Sequence, residues 1–390
     1  MTVINLDHLS SNPLLPEVKE AMIGAIRADL HNPSSQHKAG EAAAAYLDKA
    51  RESVAALIHA TPKEVVFTSG GTESVNHAVK GAAMANAAKG KHIVTTNIEH
   101  NAVIRSLRRL KSQGFTMTSL SVDNYGRVNP DDVANAITDQ TILVSIMHSN
   151  NETGTIQPIE QIGRITRAKK VLFHTDAVDS VGVVPIDVEA LGVDLMSFAS
   201  NPMYGPTGVG GLYVRRGANV WPLLDGGIQE NSKRAGTENL IGIIGMGVAA
   251  EAAQRDMAKR IAHLNGLKNR LLANLPAHID EYIVNTDPEH SLPHVVSLSV
   301  QYIEGESVML MLDDEGLAVS TRSACATGSL RASHVLLSIG LNHADAQGTL
   351  VIAFGIDNTP AHVDTFLAAL QKTVKTLRDI SPLYKKRAEG

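Results

Sequence analysis

Between about residues 60 and 215, short β-rich runs alternate with helical stretches, and this alternation limits the fold more than any other feature of the chain. Runs at 64–68, 92–96, 115–122, 142–147, 171–175, 194–198 and 209–214 are rich in Val, Ile, Leu and Phe. Several are near-continuous, as expected of strands buried on both faces. Helical patterns at 72–88, 102–113 and 158–168 lie between them. Such βα alternation predicts an α/β domain with a mostly parallel sheet. Ligands of such sheets sit at the carboxyl ends of the strands. Gly70-Gly71-Thr72, Glu99-His100, Asn150-Asn151 and Asp176 all fall at such ends.

A long helical pattern at 248–275 closes at Pro276, since proline cannot continue a helix. An apolar strand (295–300), a helix (305–315), the region of Cys325 and a last helix (360–380) follow. They predict a smaller α+β domain. The expected division is a large domain over 14–255 and a small one made of 1–13 and 256–390. With 390 residues, 44% of them hydrophobic, the chain has enough apolar material for two cores. The net charge of −5 gives no reason to expect a nucleic-acid or membrane partner. The first residues lack a basic and apolar leader, and the longest apolar run, 240–250, is too short to span a bilayer. A cytoplasmic protein is therefore expected.

Cys325 is the only cysteine, which excludes an intramolecular disulfide and any site with several thiolates from one subunit. By count alone it reads as a small buried hydrophobe. Its setting, Ser320-Thr321-Arg322-Ser323-Ala324-Cys325-Ala326-Thr327-Gly328-Ser329, reads instead as a loop, with Arg322 placed to favour a thiolate. The Thr68-Ser69-Gly70-Gly71-Thr72-Glu73 segment joins a strand to a helix and suits a phosphate, whose oxygens meet backbone N–H groups there. A plain glycine turn with Thr72 as helix cap fits equally well. His100, one of 16 histidines, is placed to stack on a heterocycle or to hydrogen-bond structurally. Asp176 suits a pyridinium nitrogen or a loop cap.

Many ordered motifs share one resemblance. They are Asn32-Pro33-Ser34-Ser35-x-His37, Phe67 to Glu73, His148-Ser149-Asn150-Asn151-Glu152-Thr153-Gly154-Thr155-Ile156-Gln157, and His174-Thr175-Asp176-Ala177. Arg234-Ala235-Gly236-Thr237-Glu238-Asn239 and Ser323-Ala324-Cys325 complete the series. The chain resembles the NifS/IscS-type cysteine desulfurases, which are fold-type I transferases dependent on pyridoxal phosphate (PLP). The resemblance implies that architecture and a homodimer with active sites at the subunit interface. It implies that Gly71 and Thr72 hold cofactor phosphate, His100 stacks on the ring, Asn151 contacts its hydroxyl side and Asp176 meets its nitrogen. Thr237 is implied to reach the phosphate from the other subunit. Cys325 falls on the family's mobile loop, whose cysteine attacks substrate sulfur and carries a persulfide.

The departures from the family pattern cluster at the cofactor and substrate. Pro202 stands for the Schiff-base lysine, Asn201 for a phosphate-binding histidine and Ala199 for a phosphate-binding serine. Asp179 stands for a glutamine near the ring hydroxyl. Val351 stands for the arginine that grips substrate carboxylate, and Ile356 for another arginine. Proline has no amine, so covalent attachment of PLP is not expected. Lys233, Lys169 and Lys170 are the surrogate lysines to weigh. The leading expectation is sulfur transfer or iron–sulfur cluster assembly through Cys325, as persulfide carrier or as one ligand of a cluster. One thiolate per chain cannot complete such a cluster, so a scaffold or sulfur-acceptor partner is expected. An active desulfurase with non-covalent PLP or a surrogate lysine is the alternative. A non-catalytic binding module on the same fold is the third reading.

Overall fold

The computed structural model describes residues 3–321 and 332–388. Cys325 and Arg322 lie outside the described residues. A seven-stranded sheet runs in the order Val65–Thr68, Gly210–Val214, Leu195–Ala199, Leu172–Asp176, Thr141–Ser145, His92–Thr96, Thr116–Leu120. Gly210–Val214 alone runs opposite to the other six strands. The expected strands are thus present, most of them with ends shifted by one or two residues. The run 141–145 is buried throughout, as a strand covered on both faces must be.

A three-stranded antiparallel sheet, Thr349–Ala353, Val295–Val300 and Tyr282–Val284, forms a second layer system. Leu298, Leu350, Phe366 and Leu370 are buried in its own core. One helix, Leu240–Asn274, joins the two cores. Its first half (Ile243, Met246, Ala250) packs with the large sheet, and its second half (Leu264, Leu267, Leu271) packs with the small one. The apolar run at 240–250 and the pattern at 248–275 are therefore one element, not two. Against this helix lies Lys38–Leu57, where Gly247 meets Ala50 so closely that a Cβ on Gly247 would stand 2.7 Å from the Ala50 Cα. Among the described residues, no helix is long and apolar enough to cross a membrane.

Candidate active site at the carboxyl edge of the large sheet

Asp176 ends the strand Leu172–Asp176 and is 6% exposed. Burial pushes its carboxyl up to about 6, while the Val178 N–H, donated at 3.1 Å, opposes that rise. Its companions come from the neighbouring strand and from its own. His148 donates its backbone N–H to the Asp176 carbonyl at 2.7 Å. Its imidazole bonds Ser180 at 2.8 Å and is held neutral by burial, down to about 4. His174, between Ser145 and Ser197 at 2.9 Å each, is pushed to about 3 for the same reason. Both are structural imidazoles.

Gly70 has φ +146°, a conformation that favours glycine, and opens the helix beginning at Gly71. A Cβ on Gly71 would come within 2.4 Å of Val178 Cγ2, so glycine is what lets this helix start approach the Asp176 strand end. Thr72 is exposed and lies inside the first turn. It is therefore not the helix cap that the sequence also allowed. Glu73 accepts the Ser69 N–H at 2.9 Å and pairs with Arg234 Nε at 3.0 Å. Those two bonds lower its carboxyl against the effect of burial.

The Glu73–Arg234 pair ties the 234–239 segment to this helix start, with Thr237 exposed beyond it. The segment is reached through Glu230, Asn231 and Ser232, with φ of 49°, 54° and 61°. Left-handed backbone in three successive non-glycine residues is costly. It is held by Glu230, whose carboxylate meets Arg51 through two bonds of 2.7 Å and accepts the Phe67 N–H at 2.8 Å.

His100, exposed at the site, caps the helix Asn101–Lys111, its Nδ1 accepting the Ala102 N–H at 3.2 Å. Asn150 frames the next turn. Its Oδ1 accepts the N–H groups of Glu152 and Thr153, and its Nδ2 donates to the Ile98 carbonyl at 3.0 Å. Asn151 is thereby set half-buried in a turn tied to the segment that leads into His100. Gly71, Thr72, His100, Asn151 and Asp176 thus sit on segments that meet at one sheet edge.

Glu99, which the sequence placed at a strand end beside His100 without a role, is the most perturbed acid of the site. It is fully buried; Oε1 accepts from Thr96 Oγ1 at 2.7 Å and from the Met147 N–H at 3.1 Å, and Oε2 has no partner. Burial, with a contribution from Asp176, pushes it up to about 8. At neutral pH it is a carboxylic acid.

The substituted positions have occupations of their own. Asn201 exchanges two bonds with the Asn12 backbone, at 3.0 and 3.1 Å, and opens the short 3-10 turn Asn201–Met203 that contains Pro202. Tyr204 follows with φ +67° and accepts the Ile356 N–H at 2.8 Å. Val351 is buried in the strand Thr349–Ala353 and bonds Ser320 through both backbone groups, at 2.7 and 3.3 Å. On the far side of the undescribed segment, His334 bonds the Glu99 carbonyl at 3.0 Å.

Lys169 and Lys170 precede Leu172–Asp176 and line a cleft with Asn86 and Thr141, at the opposite end of the sheet from Asp176. At about 3.3 Å per residue, a whole strand length separates them from the site. Neither lies at the Asp176 end of the sheet. Lys233 lies near enough to His77 to act on its charge. Among the described residues, no group of three or more His, Cys, Asp or Glu is placed to hold a metal ion.

A mostly parallel α/β sheet with this carboxyl-edge site and a second antiparallel sheet is the fold-type I transferase architecture. The aminotransferase class-V family model matches residues 4–366. The chain is 44% identical over 379 residues to the cysteine desulfurase IscS of Dictyoglomus turgidum, covering 97% of this chain and 96% of that one. It is 44% identical over 383 residues to the cysteine desulfurase IscS of Methanosarcina thermophila, covering 98% and 95%. A solved NifS-like protein superposes with a TM-score of 0.90 at 35% identity, over 96% of this chain and all of the other. The chain belongs to the aminotransferase class-V family, within its NifS/IscS cysteine desulfurase group.

PLP is the cofactor expected of that family. The donors here do not fit it as the family holds it. Pro202 offers no amine, the Asn201 amide is spent on Asn12, and Val351 is hydrogen-bonded into a strand. Asp176, His100 and the Gly70–Thr72 turn remain.

Proposed function

We propose that this protein handles sulfur through Cys325, in sulfur transfer or iron–sulfur cluster assembly, without covalently bound PLP. The observation that supports this most is the anchoring of the chain on both sides of the Cys325 segment. Ser320 is bonded to Val351, and His334 to Glu99, so both flanks are fastened at the site. With Pro202 in place of the lysine, sulfur must arrive already detached from carbon, as persulfide or hydrosulfide. From a donor persulfide the Cys325 thiolate takes the outer sulfur and releases the donor thiol; hydrosulfide instead enters, without oxidation, a cluster to which Cys325 lends one thiolate and a scaffold or acceptor protein the other ligands. A homodimer is part of the proposal. Trp221, Leu224 and Ile228 are 54%, 42% and 84% exposed just before the segment of Thr237. Solvent-facing apolar side chains in one stretch suit a subunit contact. We place the domain boundary at residue 255, within the helix that links the two cores.

The test is sulfur delivery from a persulfide donor to an iron–sulfur scaffold, comparing wild type with Cys325→Ala. Loss of delivery and of the persulfide adduct is expected; full delivery by the variant sinks the proposal.

A second reading, a PLP-dependent desulfurase without the usual lysine, is favoured by the survival of Asp176, His100 and the Gly70–Thr72 turn. It is checked by the visible spectrum of protein incubated with PLP and then gel-filtered. We expect no imine band; a band that persists, with alanine released from cysteine, establishes the second reading instead. Partner binding indifferent to both PLP and Cys325→Ala would establish a non-catalytic module.

A further inference from the structure

Pro202 lines a cleft between the two cores together with Asp179 and Ile356. All three are positions where the chain departs from its family's pattern. The same lining carries Arg260, His294 and His8, contributed by the long helix, the approach to a small-sheet strand and the N-terminal segment. Arg260 is 8% exposed, and its Nη1 has no hydrogen-bond partner. Its other terminal nitrogen lies 3.8 Å from Asp256, whose carboxylate is already bonded by Arg255 at 2.8 Å. The Tyr204 ring, 5.7 Å from the guanidinium carbon, offers only its π face. His294 is 6% exposed and its Nδ1 is also without a partner. Burial keeps that imidazole neutral. His8 bonds Asn12 through Nδ1, and its Nε2 stands 3.3 Å from Asp357 without hydrogen-bond geometry.

A buried guanidinium with one unpaired nitrogen is costly, and native proteins seldom leave it so. The space beneath the cleft mouth admits little more than a water-sized group. So small a space favours a compact anion over phosphate or sulfate. Asp179 in the same lining, already engaged in an interaction of its own, opposes a second negative charge.

We propose that Arg260 and His294 form a binding site for a single small monoanion, and that its ligand is hydrosulfide. Arg260 Nη1 donates to the anion, and His294 donates from Nδ1 in its Nδ1–H tautomer. The site rests on the sulfur-transfer reading only in the choice of hydrosulfide over a halide. Binding is non-covalent and needs no oxidant.

The experiment measures thermal unfolding of the full-length protein under anaerobic conditions at one fixed, mildly alkaline pH. Sodium hydrosulfide and sodium bromide are titrated separately, with ionic strength held constant by gluconate. A saturable rise in Tm with hydrosulfide, stronger than with bromide, is expected. Arg260→Gln should weaken the apparent affinity by about tenfold or more, the weight of a charge-assisted hydrogen bond. Arg260→Lys should keep part of it. No saturable rise with either anion, or equal affinity in Arg260→Gln, overturns the site in favour of ordered water. Equal response to both anions overturns the hydrosulfide assignment. If Arg260→Gln does not fold, bromide anomalous density in wild-type crystals decides: a peak at the guanidinium supports the site and a water there overturns it. The titration is repeated in Cys325→Ala protein. Anion binding that persists there while sulfur delivery is lost supports both readings. Delivery that survives the substitution sinks the sulfur reading and leaves the anion result standing.

Discussion

Glu99→Gln should make this protein more stable at neutral pH and flatten its pH dependence. In the folded chain the acid is raised to about 8 from an ordinary value of 4.5. A raised folded value means that the native state holds a proton that the unfolded chain releases. The stability tied to this group is therefore fully present below pH 4.5 and is lost as pH rises through 8. At pH 7 the loss is about 2.5 pH units' worth, or about 3 kcal/mol at 1.36 kcal/mol per unit. Glutamine has no such proton to hold. Its carbonyl can accept from Thr96 and Met147 as Oε1 does, and its amide takes the place of Oε2, which has no partner to lose. The assay is urea unfolding of both proteins between pH 5 and 8.5. The curves should lie close together at the acid end and separate to about 3 kcal/mol near pH 7. Parallel curves, or a variant that is less stable at pH 8, would refute the assignment of Glu99 as a buried neutral acid. Asp176 contributes a similar slope between 3.8 and about 6 in both proteins, so the difference isolates Glu99.

Two further substitutions probe the frame of the site. Glu230→Ala should cost about 3–5 kcal/mol, because Arg51 is left largely buried without its carboxylate partner and the left-handed run 230–232 loses its tether. Denaturant unfolding measures it, and a loss under about 1 kcal/mol counts against the tether. Gly71→Ala should cost about 1–3 kcal/mol by forcing the helix start and Val178 apart; thermal unfolding checks it, and an unchanged Tm means that Val178 moves freely.

The strand pattern was plain because buried parallel strands concentrate β-branched and aromatic residues over four to six positions. Val295–Val300 and Pro360–Ile380 have the bounds that their residues predict. The helices Pro16–Arg27 and Lys38–Leu57 were not read. Lys38–Leu57 packs through Ala43, Ala50 and Val54, small side chains that leave a faint apolar stripe although they allow close helix contact. The break assumed before residue 248 failed for a related reason. The first half of Leu240–Asn274 is buried on nearly every side and has no polar face to show the helical period. Asp176, His100 and the Gly70–Thr72 turn were legible because each ends a strand or opens a helix. The Glu99 proton and the Arg260–His294 cleft were not. Burial sets the first, and the second joins residues whose sequence positions carry no shared pattern.

Asn201, Pro202 and Val351 also bear on how readily this chain takes a new charge. A lysine at 202 would place an ammonium in the cleft that Arg260 lines, where one guanidinium nitrogen has no hydrogen-bond partner. A histidine at 201 would break the paired bonds to Asn12. An arginine at 351 would push a charge into the strand interior, where Val351 is 1% exposed. The three positions are fitted to the residues now around them, so an engineer who wants a lysine at 202 must rebuild its surroundings in the same step.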